Sequence, residues 1–293
     1  MTVTEIPSLN TTAHTLSLTE LADQPNIPCH TNPKTRREWL VYWNDTSTLT
    51  QLGGTAWFGG LHNFHEAVTL MTEGWSEGAA RIHELSAEVK PTEAKSIQRK
   101  IAWRDDGDEI CNDRLRSGNL DTCWRGSRRQ TNVGPVLVTV NVNWGGLRNV
   151  TAKQMFWQGA AACALVDALE EAGYRVRVIA NNWSVVDRQA NFKALIRVVI
   201  KDFPEPLQLD AMAAVLAHAG IYRTLGFMAK EQVRLQVDTG HGSTREITRE
   251  LMEALNDGSE QSLILNKAYS REAAIMALKK VVSTLNGEQG TSF

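Results

Sequence analysis

Three groups of residues have the types and spacing for chemistry. The first is Asn141-Val-Asn143-Trp-Gly145-Gly146, which overlaps the end of the apolar run Val136 to Val142. Open α/β sheets bind ligands beyond the carboxyl ends of their strands. Adjacent glycines there would let backbone amides approach an anion beside the next helix. The spacing, however, is neither that of a phosphate loop nor that of a dinucleotide fingerprint. A tight turn whose side-chain amides cap loose backbone groups accounts for the same residues. The second group is Arg125, Arg128 and Arg129 beside Trp124, which could grip phosphates or stack on bases. A charged surface next to a strand is the simpler reading. The third is Asp238-Thr-Gly-His241-Gly-Ser-Thr-Arg245, where an acid, a histidine and hydroxyls lie together. No nucleophile elbow supports a catalytic use, and a loop followed by a helix cap at Ser243 explains it.

Metal-ligating types are present without a metal-ligating pattern. His62 and His65 lie three apart, with Cys29, His30 and His83 as further donors, but the spacing fits no zinc site. Asp105-Asp106-Gly107-Asp108-Glu109 misses the calcium-loop register, because Arg104 and Ala102 fall on two ligand positions. Cys111 and Cys123 lack a partner pair, and Cys163 sits in an apolar helix as a small core residue. His218 is near a helix end, where the helix dipole suits it. No catalytic residue, metal or cofactor is expected.

The elements that must position these residues are clearest in the second half. Val136 to Val142 reads as a central strand. Thr151 caps a long helix through Met155, Phe156, Ala160, Cys163, Leu165 and Leu169, which Gly173 ends. Tyr174 to Ala180 is the next strand, so the unit predicts a parallel pair with a right-handed crossover. Further strands are expected at Ala194 to Lys201, Val233 to Val237 and Ser262 to Asn266. Helices are expected from Leu209 to Ala219, stopped by Gly220; from a Ser243/Glu246 capping box to about Leu255; and from Ser270 to about Leu285.

Upstream, the first residues are rich in Thr, Ser, Asn and Pro and read as a flexible arm, residues 1–34, either disordered or lying across a neighbour. Trp39, Trp43, Trp57 and Trp75 crowd one interval of a mainly helical region, residues 35–130. There Phe64, Ala67, Val68 and Met71 mark one helix ended by Gly74, and Ser76 to Val89 a second. Thr92 caps a third helix carrying Ile97 and Ile101, and residues 105–134 are polar turns. The α/β domain spans 131–287 and a loose tail 288–293.

Strand, polar turn, Ala-rich helix, Gly173 and Tyr174-Arg-Val-Arg-Val-Ile together resemble the start of a von Willebrand factor A domain. Asp106-Gly-Asp-Glu-Ile110, Arg114, Gly118 and Arg128–Arg129 are similar to the lead-in of chelatase-associated and nitric-oxide-reductase-activating proteins that carry such domains. The combination also resembles uncharacterised bacteriophage proteins. The likeness covers about residues 105–200 and implies a three-layer, Rossmannoid α/β sheet with helices on both faces. That family holds a metal with Asp-x-Ser-x-Ser at the end of the first strand, where this chain has Asn141, Asn143 and Gly145. A hard cation wants carboxylate oxygens, so the resemblance implies the scaffold without its ion. In that family the scaffold serves protein–protein contact. The implied partner is a cellular or phage protein, an ATPase of the type that associates with the family, or further copies of the chain.

Totals narrow the classes. A formal net charge of −2 gives no global reason to expect nucleic acid. No run approaches the roughly 18–20 apolar residues that cross a bilayer, and Met1 to Asn10 lacks the pattern of a secretion signal. Four scattered cysteines suggest no disulfide framework. The cytoplasm is the expected compartment, that of a bacterial host if the chain is phage-encoded, with no membrane partner. The sequence thus favours a non-catalytic interaction or assembly module. The alternatives are nucleic-acid binding through the Arg125 to Arg129 segment, or an enzyme acting at the 141–146 or 238–245 loops.

Overall fold

The computed structural model describes residues 1–24, 54–86, 101–107, 109–127, 136–146, 149–187, 191–232, 243–255 and 261–290. In chain order the strands are β1 (Thr2–Ile6), β2 (Thr11–Ser17), β3 (Ile101–Arg104), β4 (Glu109–Ile110), β5 (Trp124–Ser127), β6 (Leu137–Asn143), β7 (Arg175–Asp187), β8 (Phe192–Lys201), β9 (Ser243–Arg245) and β10 (Gln261–Leu265). The longer helices are α1 (Phe64–Glu73), α2 (Ser76–Ser86), α3 (Ala152–Glu171), α4 (Leu209–Ala217), α5 (Phe227–Gln232), α6 (Arg249–Leu255) and α7 (Arg271–Gly290). Two units separate: Met1–Thr92 with Leu137–Phe293, and Glu93–Val136.

The larger unit is mixed α/β, a helix-flanked sheet of order β1-β2-β8-β7-β6-β10 with β9 added to β7. Its nucleus is β6-α3-β7. Thr151 and Gln154 form a reciprocal capping box that starts α3, and Gly173 at φ 90 lets the chain leave it. β6 and β7 then pair in parallel, Val138 opposite Val176 and Val142 opposite Ala180. Side chains alternate between faces, so Val138, Val140, Val142, Val176 and Val178 share one face, all at most 1% exposed beneath the buried α3. Burying each such side chain contributes roughly 2 kcal/mol. α4 crosses α3 so closely at Gly159 that a Cβ there would lie 2.1 Å from the Leu216 carbonyl oxygen. α2 packs on α3 and α4, and α1 on α4, so these helices join the α/β unit and not a separate region 35–130.

Several expectations are corrected. Residues 2–17 are no flexible arm: β1 and β2 pair antiparallel, and β2 runs parallel to β8 from Thr11 opposite Lys193 to Ser17 opposite Val199. Thr-rich chain suits an edge strand as well as a loose one, and β8 supplies the missing partner. β8 is antiparallel to β7. The helix from Leu209 bends at His218 and continues past Gly220 through a π-helical turn, Tyr222–Gly226, into α5. Gly220 admits the Phe58 carbonyl and Leu61, which a Cβ would strike at 2.4 Å. Ser243 caps no helix. β7 outlasts β6 by several residues, and Ser243–Arg245 fills the vacated edge opposite Trp183–Val185; α6 is capped by Thr248. Ser270 does cap α7, which runs on to Gly290 instead of loosening at 288. Trp39, Trp43, Cys29, His30, Val89, Thr92, Ile97, Val233 to Val237 and Asp238 to His241 lie outside the described residues.

The smaller unit holds an antiparallel sheet of order β3-β5-β4, a short helix at Asn112–Arg116 and a 3-10 turn at Leu120–Thr122. Ile101 therefore lies in a strand, not in a third helix, and the stretch after 105 is more than turns. Cross-strand pairing of residues as polar as Glu109 and Arg125 explains why apolar periodicity did not announce it.

Candidate functional site

The carboxyl rim of β6 is closed by the chain's own hydrogen bonds. Asn143 Nδ2 donates to the Arg245 carbonyl at 3.0 Å and to Asn266 Oδ1 at 3.3 Å. Asn266 in turn accepts from Ile247 N and donates to Ile247 O, each at 3.0 Å. These amides hold the 244–247 segment across the place where a ligand would enter. From α3, Gln158 Nε2 donates to the carbonyls of Asn143 and Gly145, and Trp144 Nε1 donates to Val215 O at 3.0 Å. The turn is thus the internally capped one, and its glycines answer to packing. Gly145 has φ 145, and a Cβ would sit 2.4 Å from Asn182 Nδ2. At Gly146 the nearest atoms it would meet belong to the Val150 side chain, 3.2 Å away. Gly145→Ala is expected to cost about 2 kcal/mol and Gly146→Ala less than about 1 kcal/mol. Paired urea denaturation curves check this; two equal losses would show that the turn does not distinguish the two positions.

Asn141 belongs to a different place. It points to the opposite face from the valines, in a polar chain that crosses four strands. Asn141 Nδ2 donates to Ser262 Oγ at 2.9 Å, Asn181 Nδ2 donates to Asn141 Oδ1 at 3.2 Å, and Arg197 Nε donates to Asn181 Oδ1 at 3.4 Å. Arg197, Arg177, Asn141 and Ser262, with Met252 and Leu255 of α6, line a cavity of about 340 Å³. Arg177 donates to Asp202 Oδ1 at 2.8 Å and lies over the Phe203 ring. Burial, and secondarily the charge of Arg177, hold the Arg197 guanidinium below its ordinary pKa.

A second polar cluster is fully enclosed. Lys230 Nζ donates to Ser184 Oγ and to Tyr222 Oη, each at 3.2 Å, and Asn182 Nδ2 donates to the same Tyr222 oxygen at 3.1 Å. A lysine beside a serine hydroxyl has the types of a base and a nucleophile, but Ser184, Tyr222 and Lys230 are each at most 2% exposed. The cluster ties the π-helical turn to β7. Arg223 on that turn donates to the Trp57 and Val150 carbonyls and stacks on Trp57, and burial lowers its pKa to about 10. His218 is no helix-dipole cation. Its Nδ1 accepts from Gly220 N, and burial pushes its pKa down to about 4.

Of the basic group, Arg125 stands on β5 within 3.7 Å of Glu109, and Arg128 and Arg129 lie outside the described residues. Among the described residues no three His, Cys, Asp or Glu side chains gather as a metal site. None of the described helices is long and apolar enough to cross a membrane.

Fold and site together define a mixed α/β protein with a helix-flanked sheet, a self-capped rim and a polar cavity on one sheet face. Residues 11–289 match the family model described as a domain of unknown function (DUF7192), and the chain belongs to that family. No curated protein and no solved structure matches it.

Proposed function

We propose that the chain is a non-catalytic protein-interaction or assembly module of von Willebrand factor A-like type, working in the cytoplasm. The observation that carries this is on the smaller unit, where Trp103, Ile110, Leu115 and Leu120 are 40% to 63% exposed. Large apolar side chains left exposed on so short a stretch support a docking surface. Arg114 lies over the Trp103 ring at 4.7 Å, and Trp with Arg is the pairing enriched where interfaces hold most of their energy. The rim adds support, since the amide nitrogens of Asn141 and Asn143 donate inside the protein where the resembling family has metal ligands. The sheet is then scaffold, and the partner is a protein.

The test is affinity purification of the full chain from its native host, beside a Trp103→Ser/Leu120→Ser double variant. One protein recovered in stoichiometric amount with the wild type, and lost from the variant at unchanged melting temperature, is the expected result. Equal recovery with both, or recovery of nucleic acid alone with steep salt dependence, overturns the reading. Light scattering of the two purified chains tells a foreign partner from a second copy.

A further inference from the structure

The cavity beneath α6 has a construction that the interaction surface does not explain. Arg197 projects from the middle of β8, opposite Asn181, onto a face it shares with Asn141 and Asn181, and Arg177 lines the same cavity. The Arg197 Nε is fixed by Asn181, whose amide is oriented by donating to Asn141 Oδ1 and to Ile179 O at 2.9 Å. That leaves the two terminal nitrogens of the fork for the cavity. Among the described residues no carboxylate forms an ion pair with Arg197, and the charge that bears on it is the like charge of Arg177. Asp202, at the cavity edge, already accepts from Arg177 and from Phe203 N. A half-buried guanidinium beside another cation is unfavourable until an anion joins it. Its planar fork matches the oxygens of a phosphate or carboxylate.

The walls narrow the ligand. Ile179 and Val199 put an apolar floor between the donors on the sheet face, Met252 and Leu255 of α6 add apolar lining, and about 340 Å³ is within the range of small-ligand sites. We propose that this cavity binds a small oxyanion carrying an apolar body, with Arg197 gripping the oxyanion and α6 covering the body. The proposal is independent of the docking surface, which lies on the other unit.

Titration of the full chain with inorganic phosphate, phenyl phosphate and benzoate, at matched ionic strength, tests it by calorimetry and melting temperature. Benzyl alcohol controls for the ring alone. Saturable binding is expected, with the better aromatic anion held about tenfold more tightly than inorganic phosphate because its ring buries apolar surface. Preference for phenyl phosphate or for benzoate identifies the head group as phosphate or carboxylate. Arg197→Met should abolish the binding, and its ligand-free melting temperature should equal or exceed that of the wild type, since an uncompensated charge is gone. Should that variant not fold, Val199→Phe fills the cavity without touching the polar chain and must also abolish binding. No saturable binding of any anion by the wild type, or binding that survives either substitution, overturns the proposal.

Discussion

Replacing Gly159 by alanine should lower the stability of the protein by about 3 kcal/mol, although alanine is the better helix former. A helical Gly→Ala change normally gains close to 1 kcal/mol. Here the new methyl would lie 2.1 Å from the Leu216 carbonyl oxygen and 2.4 Å from the Ala217 Cα. Both are backbone atoms of α4, so no rotamer change relieves the clash, and α3 and α4 must part. Their separation would loosen the Trp144 indole bond to the Val215 carbonyl and, with it, the rim turn. Urea denaturation is the measurement, and the midpoint should fall by roughly 1 M. A midpoint unchanged from the wild type would mean that the two helices do not meet at this glycine.

The second large effect is a dependence on pH that His218 imposes. Its folded pKa, near 4, lies below the model-compound value of 6.5 because burial disfavours the imidazolium. Between those values the unfolded chain binds a proton that the folded chain refuses. Stability is therefore full above about pH 6.5, falls as the pH drops, and levels off below about pH 4, a total loss of about 3 kcal/mol. His14 is also shifted down by burial and acts in the same direction, so the comparison must be with a variant. Asparagine at 218 can accept the Gly220 N–H and does not titrate. Urea curves at pH 7 and pH 4.5 should show the wild type losing roughly 2.5 kcal/mol more than His218→Asn. Parallel losses in the two proteins would place the pH dependence elsewhere.

The parts of the fold that were legible in the sequence are those whose signals are local. β6, α3 and β7 announce themselves by valine runs, the Thr151 cap and Gly173, and the pairing that follows is the expected parallel one. The antiparallel turn to β8 was not legible: the sequence ended the strand at Ala180 and began the next at Ala194, whereas the structure carries β7 to Asp187 and starts β8 at Phe192. β1 and β2 were not either, because the pair joins the sheet only through β2 on β8, which begins at Phe192, far along the chain. Nor was the smaller sheet, whose strands span two to four residues each.

The candidate sites divide the same way. The internal capping role of Asn143 could be read from residue type, whereas its partners at Arg245 and Asn266 are about a hundred residues away. Arg197 was overlooked because it sits inside an apolar strand. The signal was present in the alternation Arg175-Val-Arg177-Val, where a charge in every second place means one polar sheet face, and in the single charge of Ile196-Arg197-Val198. Lys230 and Ser184 carried no such pattern, since a buried lysine on a helix looks like a solvated one until its neighbours are known.

The proposed contact lies on the smaller unit, with the sheet rim as scaffold. Amide hydrogen exchange on the purified complex measures this directly, segment by segment. Binding should slow exchange within residues 101–120, around Trp103, Ile110, Leu115 and Leu120, and leave residues 141–146 and 243–247 as they were in the free chain. Protection gained at the rim, with the smaller unit exchanging as before, would contradict it.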